Sequence, residues 1–304
     1  MDKQMPDCTT KIMPHDVMSA YDAVANVYDD VFRSTQAVKE QVGHTLALLR
    51  QIGARRVIDV SAGTGTEALP VWRDGDLELL VASDANSSML GQLRQRAAYC
   101  GTVYRNGWMD DTAAGLVVMQ ADWWTLDQLL PVGTFDAVVC TGISFYQCYT
   151  IKGFISALQC WGRLLKAGGV VLVDYMNQDE ECAELRRDSC ATQTEPAWGC
   201  SELTSSSGRR YVVTDFHMRL PLAEAPIGWQ TWNTWIVAEL DGMRRAMNLR
   251  TLSGGGAMLD PLAVADLAPS AGFSVADPDR STPSLDVPAR NEVLPMHRSV
   301  LRKL

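Results

Sequence analysis

The spacing of hydrophobic positions changes several times along this chain, and each change predicts a different element. From Ser19 to about Gly53 apolar residues recur at helical spacing, with Val38, Leu46 and Leu49 on one stripe. Short, almost wholly apolar runs follow, with helical spacing between most of them. These runs are Val57–Val60, Leu79–Ala82, Leu116–Met119, Ala137–Cys140 and Val170–Val173. Short apolar strands separated by helices indicate a parallel sheet that is covered on both faces.

Helices in this region are predicted at Ser88–Tyr99 and Gly153–Leu165. The stretch "LKAGGVVLVD", Leu165–Asp174, predicts a helix end, a Gly-Gly turn and a buried strand. After Asp174 the pattern becomes antiparallel in type. A polar region with a turn at "TSSSG" precedes the predicted strands "RRYVVTDFHMRL", "WQTWNTWIVAEL" and "MRRAMNLRTL".

The last part of the chain returns to mixed structure. "SGGGAMLD", Ser253–Asp260, predicts a hinge-like break, and Pro261 then opens a helix that Asp260 caps. Strands are predicted around Phe273–Ala276 and Val293–Leu301.

Composition narrows the class of protein. The 304 residues are 47% hydrophobic and 21% charged, enough for one large α/β domain with an elaboration or for two modest domains. The net charge of −9 and the absence of a basic run longer than two arginines argue against a nucleic-acid partner and favour a small-molecule substrate. No apolar run approaches the ~20 residues of a membrane span, and the first residues lack a signal-peptide core. We therefore expect a cytoplasmic protein without a membrane partner.

Cysteine and histidine usage gives no sign of a metal site. The eight cysteines contain no C-x-x-C pair, and the four histidines are scattered. Reduced thiols, most of them in the core, and no bound metal are expected.

The segment "RRVIDVSAGTGTEALPV", Arg55–Val71, reads as a strand that stops at a glycine turn and restarts as a helix. Gly63 and Gly65 would let the backbone approach a ligand closely. The loop is not a full G-x-G-x-x-G, because Ser61 holds the first position and no glycine holds the last, and it is not a Walker loop. Taken alone, it is compatible with a cofactor site or with a tight structural turn.

Asp84 closes the next strand, about 20 residues further on, where a carboxylate can accept hydrogen bonds from both hydroxyls of a ribose. The alternative is a helix cap, since "SDANSSM" is a good helix start. The glycine loop upstream favours the ribose role.

With these motifs the chain resembles the class I S-adenosylmethionine-dependent methyltransferases. "VIDVSAGTG" resembles their first motif and Asp84 their acidic second motif. "ADWWTL" is similar to their adenine-binding segment, "FDAVVCTGISF" to their fourth motif and "LLKAGGVVLVD" to the motif of the strand that follows. These segments cover about residues 20–176 in order. Within the superfamily, "ADWWTLDQLLPVGTFDAVVCTGISF" most resembles the glycine and glycine/sarcosine N-methyltransferases.

The resemblance implies a doubly wound, Rossmann-like α/β fold with a seven-stranded, mostly parallel sheet whose last strand is antiparallel. It implies an N-terminal arm and helical cap at 1–52 and an S-adenosylmethionine-binding core at 53–177. An antiparallel insert at 178–258 would cover the substrate, and a helix and closing strands at 259–304 would complete the core. A homo-oligomer is the one macromolecular partner left open.

The resemblance also implies S-adenosyl-L-methionine as cofactor and assigns residues to each of its parts. For the methionine portion these are Arg33, paired with the carboxylate, and Asp59, Ser61, Gly63, Gly65 and Thr141. For the nucleoside they are Asp84 at the ribose, and Ala85, Met89, Asp122 and Trp123 at the adenine.

Tyrosines are the candidate catalytic side chains. Tyr21 and Tyr28 are seven residues apart and share a helical face. A phenol ring can stabilise a sulfonium cation through a cation–π contact, although a tyrosine stripe is equally typical of packing. Tyr175 would accept a hydrogen bond from an amine. Trp229 and Trp235 would share one face of a strand, and packing is the favoured role for them.

Two departures from the glycine N-methyltransferases concern the acceptor. Met176 stands where they have an arginine that grips the acceptor carboxylate, and Ile143 stands where they have an asparagine. Methionine cannot replace the two parallel hydrogen bonds of an arginine. The acceptor is therefore expected not to be glycine, unless Arg209 or Arg210 holds its acidic group. Ile143, Tyr146 and Met176 would line a less polar substrate pocket.

Three reactions remain open. The first is methyl transfer to a small amine, thiol, thioether or hydroxyl acceptor. In the second, the amino group of S-adenosylmethionine attacks its own Cγ, which forms azetidine-2-carboxylate and releases methylthioadenosine. The third is a non-catalytic S-adenosylmethionine-binding protein, which the retained motifs and the elaborated cap disfavour.

Overall fold

Two β-sheets and a set of helices make up the described part of the chain. In the computed structural model this part comprises residues 19–33, 35–108, 114–142, 144–148, 150–176, 197–221, 229–258, 261–275, 285–289 and 292–304. Within it, no helix is long and apolar enough to cross a membrane.

The strands carry the following bounds. They are β1 (Arg56–Asp59), β2 (Leu79–Asp84), β3 (Tyr104–Asn106), β4 (Gly115–Gln120), β5 (Phe135–Cys140), β6 (Leu165–Met176), β7 (Ala197–Thr204), β8 (Arg210–Pro221), β9 (Trp229–Leu240), β10 (Ala246–Met258), β11 (Phe273–Val275), β12 (Leu285–Ala289) and β13 (Glu292–Lys303). The α-helices are α1 (Tyr28–Phe32), α2 (Thr35–Gln51), α3 (Ala68–Asp74), α4 (Ser87–Tyr99), α5 (Leu126–Leu129), α6 (Ile151–Leu164) and α7 (Pro261–Leu267). Short 3₁₀ helices lie at Ser144–Gln147 and Ala268–Ala271.

The larger sheet confirms the predicted topology. Its strand order is β11-β13-β6-β5-β1-β2-β4-β3, and β12 pairs with β13. Strands β1 to β6 run parallel, and β13 is antiparallel to both β6 and β11. Seven of these strands form the expected doubly wound sheet, and the edge strand β3 and the hairpin partner β12 are additions to it.

The sheet is buried on both faces, as its apolar strands predict. In β1, Val57 lies in the core under α2, α3 and α4, whereas Ile58 lies in the core under α6. Since parallel strands end at the same edge, the carboxyl ends of β1, β2, β4 and β5 lie side by side. Ligands bind at this edge in open α/β sheets.

The expected Gly-Gly turn after α6 is wrong. The strand β6 begins at Leu165 and includes both glycines. Gly168 has φ +72°, and the pairing register of β5 and β6 shifts between Phe135 and Ala137. A left-handed glycine at a register shift produces a bulge within a strand rather than a reversal of the chain.

The helical pattern predicted from Ser19 to about Gly53 is interrupted in the structure. Residues 23–27 form turns, and Arg33 is extended, with φ −122° and ψ 97°, between α1 and α2. In a continuous helix Arg33 would lie about 120° around the axis from Tyr21. The breaks instead allow Tyr21, Tyr28 and Arg33 to line one cavity. We call residues 19–33 the N-terminal segment.

The smaller sheet is antiparallel, in the order β10-β9-β8-β7. The turn at 205–208 and the strand at Trp229–Leu240 are as predicted. The hinge predicted at Ser253–Asp260 is wrong over its described part, because β10 continues through Gly254–Gly256 and pairs with β9. Glycine keeps the backbone donor and acceptor that a ladder needs. Arg244, predicted in a strand, lies in the β9–β10 turn with φ 63°.

The N-terminal segment packs against this smaller sheet. Val24 and Val27 share a buried cluster with Tyr211, Val213 and Val237.

The division of the chain into four parts stays a prediction, and its boundary near residue 178 falls outside the described residues. Of the described cysteines, Cys140, Cys148 and Cys160 are buried as expected, whereas Cys100 and Cys200 are exposed.

Candidate active site

A cavity of about 1010 Å³, a volume that includes solvent at its mouth, lies between the carboxyl edge of the larger sheet and the N-terminal segment. The strands contribute their last residues and the loops that follow them. Many of the predicted site residues line it together: Tyr21, Tyr28, Arg33, Asp59, Ser61, Gly63, Asp84, Ala85, Met89, Asp122, Trp123 and Thr141. These predicted residues therefore share one cavity, and their individual roles stay predictions.

The glycine loop joins β1 to α3 as expected. Gly63 lines the cavity with φ +51° and donates its N–H to Asp84 Oδ2 at 2.8 Å. Gly65 does not line the cavity, contrary to its predicted place at the methionine portion. It has φ +79°, and a Cβ atom there would lie 2.7 Å from Cγ of Leu93. Gly65 is therefore required for close packing of the loop on α4.

Asp84 is a partly buried hydrogen-bond acceptor at the end of β2. Its Oδ1 accepts the N–H of Asn86 at 2.8 Å. The helix-cap alternative for Asp84 is wrong, because Asn86 caps α4 by accepting the N–H of Met89 at 2.8 Å. Burial raises the pKa of Asp84 to about 6. A donor ligand that bonds to the ionised carboxylate would lower that pKa again.

Asp59 ends β1 and is only 4% exposed. Its Oδ1 accepts the N–H of Ser61 at 2.9 Å. Burial, with smaller contributions from Glu67 and Asp84, raises the pKa of Asp59 to about 8. A cation bound beside Asp59 would favour the ionised form and reverse this shift.

Arg33 forms a buried network with two residues that the motifs did not reveal. Its Nη2 donates to Glu67 Oε1 and, at 2.9 Å, to Gln41 Oε1. Arg33 Nε and Glu67 Oε2 are buried without a hydrogen-bond partner. Buried polar atoms are usually paired, so both atoms are candidates to bind a ligand. Glu67 comes two residues after Gly65, directly before α3, and no motif position marked it.

Two adjacent tryptophans line the cavity, although the resemblance assigned only Trp123 to the cofactor. Trp123 Nε1 donates to the carbonyl of Val60 at 2.6 Å, and Trp124 Nε1 to that of Gly153 at 3.0 Å. Asp122 Oδ1 accepts the N–H of Trp124 at 3.0 Å. Both indoles are thus fixed in orientation by their own N–H groups.

The rings of Tyr21 and Tyr28 are in contact, but turns at residues 23–27 separate the two residues, so one continuous helical face does not carry both as predicted. The ring centroids of Tyr21 and Tyr28 are 5.9 Å apart, and Phe32 lies 5.2 Å from Tyr28. Gln147, which the sequence did not single out, also lines the cavity and donates through Nε2 to the Tyr21 hydroxyl at 2.8 Å. Trp235 packs edge-on against Phe32 at 5.8 Å, in agreement with a packing role.

Part of the predicted substrate pocket cannot be placed. Ile143 lies outside the described residues, as do the side chains of Tyr146, Tyr175 and Met176. The backbone at Tyr175 and Met176 belongs to β6 and pairs with β13. The roles of these four residues stay predictions.

Arg209 and Arg210 do not supply the missing carboxylate anchor. Arg209 contacts Glu239 and Asp30, and Arg210 pairs with Glu202. Neither arginine lines the cavity. The expectation that one of them could hold an acidic acceptor is therefore wrong in this structure.

The cavity has an acidic wall. Among its described lining residues, Asp59, Glu67, Asp84 and Asp122 are carboxylic acids and Arg33 is the one arginine or lysine. Since Arg33 is already paired with Glu67, the wall favours a cationic ligand over an anionic one. The described residues contain no cluster of three or more His, Cys, Asp or Glu that suits a metal ion.

Curated relatives with similar sequences are glycine N-methyltransferases. No family model matches the chain. The rabbit (Oryctolagus cuniculus) enzyme is 30% identical over 195 residues, which are 59% of this chain and 61% of that one. The human enzyme is 32% identical over 193 residues, 58% and 61% of the two chains. The matched region thus spans about three-fifths of the length of these relatives.

Solved structures with the same fold are methyltransferases. The CcbJ methyltransferase from Streptomyces caelestis superposes with a TM-score of 0.63 at 21% identity, over 93% of this chain and 98% of that one. CalS10 from Micromonospora echinaspora, an amino pentose methyltransferase, gives 0.55 at 17%, over 87% and 91%. The fold is that of the class I S-adenosylmethionine-dependent methyltransferases, and the resemblance seen in the motifs is confirmed.

Proposed function

We propose that this chain, which has the class I methyltransferase fold and sequence similarity to glycine N-methyltransferases, transfers a methyl group from S-adenosylmethionine to a small acceptor other than glycine. The observation that carries the acceptor proposal is that Arg33, the one arginine or lysine in the described lining of the cavity, is paired with Glu67. With Arg33 assigned to the carboxylate of the cofactor, no arginine or lysine of the described lining is left for the carboxylate of glycine.

The residues present fit S-adenosylmethionine. Asp84 offers a partly buried carboxylate to a ribose, and Asp59 a buried carboxylate to an ammonium group. Arg33 Nε is an unpaired donor for a carboxylate. When bound, the cofactor would supply an electrophilic methyl group on a sulfonium. The rings of Tyr21 and Tyr28 offer the neutral, electron-rich wall that such a cation needs.

The acceptor must present a neutral lone pair in line with the bond from sulfur to methyl. Tyr21 and Gln147 are uncharged hydrogen-bonding groups on the same wall as the tyrosine pair, and they suit an amine N–H or a hydroxyl. A thioether fits as well, because it needs no base. CalS10, which shares this fold, is an amino pentose methyltransferase, so the fold accommodates an amine of that class.

The proposal is tested by acceptor preference. Purified protein is incubated with S-adenosylmethionine and, in parallel, glycine, sarcosine, methionine, an amino sugar or a simple alkylamine, and S-adenosylhomocysteine is quantified. We expect turnover with an acceptor that lacks the glycine carboxylate and only the blank rate with glycine. Glycine as the best substrate would contradict the proposed acceptor class but not the proposed cofactor.

A further inference from the structure

Two consecutive aspartates of α1 are bonded to different parts of the fold. Asp29 Oδ1 accepts the hydroxyl of Thr64 at 2.6 Å, and its other oxygen pairs with Arg96. Asp30 Oδ2 accepts the hydroxyl of Tyr211 at 2.7 Å and faces Arg209 Nη1 at 3.3 Å. Asp29 therefore joins the N-terminal segment to the larger sheet, and Asp30 joins it to the smaller one.

The partners of Asp29 belong to the elements that frame the cofactor site. Thr64 stands between the two glycines of the loop and is only 2% exposed. Arg96 is on α4, the helix that follows Asp84. Of the partners of Asp30, Tyr211 lies on β8 and Arg209 directly precedes it, and neither lines the cavity.

Asp29 is also next to Tyr28, and Arg33 is one helical turn further on. Both residues reach the cavity from a segment that has no continuous helix to hold it rigid. We infer that Asp29 is a positioning residue, which holds Tyr28 and Arg33 over the cofactor site by its bonds to Thr64 and Arg96. This inference rests on the proposed function, since it takes S-adenosylmethionine as the ligand.

A purely structural ion pair would behave differently. Asp29 and Arg96 are 27% and 39% exposed, and exposed pairs contribute little to stability. The bond to Thr64 is distinct because its hydroxyl is buried in the loop itself. The effect of Asp29 should therefore appear in ligand affinity, in addition to any loss of stability from the Thr64 hydroxyl that is left unpaired.

The test is a double-mutant cycle read by titration calorimetry with S-adenosylmethionine. Asp29→Ala should weaken binding by about tenfold, a loss comparable to one charge-assisted hydrogen bond. Tyr28→Ala should weaken binding in the wild-type background and have little further effect in Asp29→Ala, because the displaced segment has already withdrawn the ring. If Asp29→Ala does not fold, Asp29→Asn, which keeps the shape of the side chain, replaces it in the double-mutant cycle.

Asp30→Ala is the matched control. It removes a carboxylate of similar exposure one residue away, and affinity should stay within about twofold of the wild type, within the error expected for uncoupled sites. The inference is overturned if Asp29→Ala binds normally, if the Asp29 and Tyr28 effects add, or if Asp30→Ala weakens binding equally. Failure of the wild type to bind S-adenosylmethionine would overturn the proposed function, and this inference with it. If the wild type binds and one of the three outcomes above is found, only this inference is overturned.

Discussion

Asp84 Oδ2 accepts the backbone N–H of Gly63 at 2.8 Å, so the end of β2 holds the glycine loop that follows β1. The same carboxylate has a second oxygen on the N–H of Asn86, at the start of α4. One side chain thus fixes two backbone turns and still lines the cavity. A ligand that bonds to Asp84 is placed relative to both turns at once.

Removal of this carboxylate should weaken cofactor binding strongly. We expect Asp84→Ala to lower affinity for S-adenosylmethionine by tens-fold, since charge-assisted hydrogen bonds contribute about 1.5–3 kcal/mol each. Asp136→Ala is the control, because Asp136 also accepts two backbone N–H groups, those of Arg55 and Arg56, but at the opposite end of β1. Calorimetry should show normal affinity in the control. Equal losses in both variants would contradict a ligand role for Asp84.

Gly142 provides a test of the Arg33 position. It has φ +68°, and a Cβ atom there would lie 3.0 Å from Arg33 Nη1. We expect Gly142→Ala to lower the free energy of unfolding by about 1–3 kcal/mol and also to weaken cofactor binding. Gly208→Ala has the same backbone cost, with φ +82°, but nothing within 4 Å of its new Cβ. Denaturant titration should show similar destabilisation in the two variants, and only Gly142→Ala should lose affinity.

Cofactor affinity should depend on pH through Asp59. The pKa of Asp59 is raised to about 8 by burial, so the ligand-free protein carries a proton there at neutral pH. A bound ammonium favours the carboxylate and expels this proton. Affinity should therefore fall as pH is lowered from about 8 to 6, by up to about tenfold per pH unit. Calorimetry in buffers of different ionisation enthalpy counts the released proton, and proton uptake on binding would contradict the assignment.

The stability of the ligand-free protein should show the matching trend. The pKa of Asp59 lies above its ordinary value of 3.8, so between about 4 and 8 the folded state binds a proton that the unfolded state does not. The contribution of this Asp59 proton to the free energy of unfolding is fully present below about pH 4, falls as pH rises, and is lost above about pH 8. In Asp59→Asn this part of the pH dependence of unfolding should disappear.

Tyr28 should act through its ring. The ring packs between those of Tyr21 and Phe32, tilted to both, with centroid distances of 5.9 and 5.2 Å. We expect Tyr28→Phe to keep most of the turnover and Tyr28→Ala to lose more, because a phenyl ring retains the cation–π contact. Steady-state kinetics with a responsive acceptor measures this. Equal loss in both variants would indicate that the hydroxyl acts on the nucleophile.

The sequence predicted the fold well because buried parallel strands and a glycine loop leave local signals. The runs at Val57–Val60 and Ala137–Cys140 lie in strands, and Gly63 and Asp84 lie where the motif order put them. The break at Arg33 was missed, since the apolar periodicity continues across it and one partner of Arg33, Glu67, lies 34 residues further along the chain at the start of α3.

Other site residues gave no local signal at all. Gln147 enters the cavity only because a 3₁₀ turn after β5 brings it to Tyr21, 126 residues earlier in the chain. Asp29 and Asp30 look alike in sequence, and only tertiary structure separates their partners. Glycines 254 to 256 predicted a break, but pairing with β9 overrides the local preference.

The nucleoside product is the most direct test of methyl transfer. The protein is incubated with S-adenosylmethionine alone and with each candidate acceptor, and products are identified by mass spectrometry. Enzyme-dependent S-adenosylhomocysteine that forms only when an acceptor is supplied is the predicted result. Enzyme-dependent methylthioadenosine without any acceptor would contradict methyl transfer and identify the cofactor's own ring closure instead.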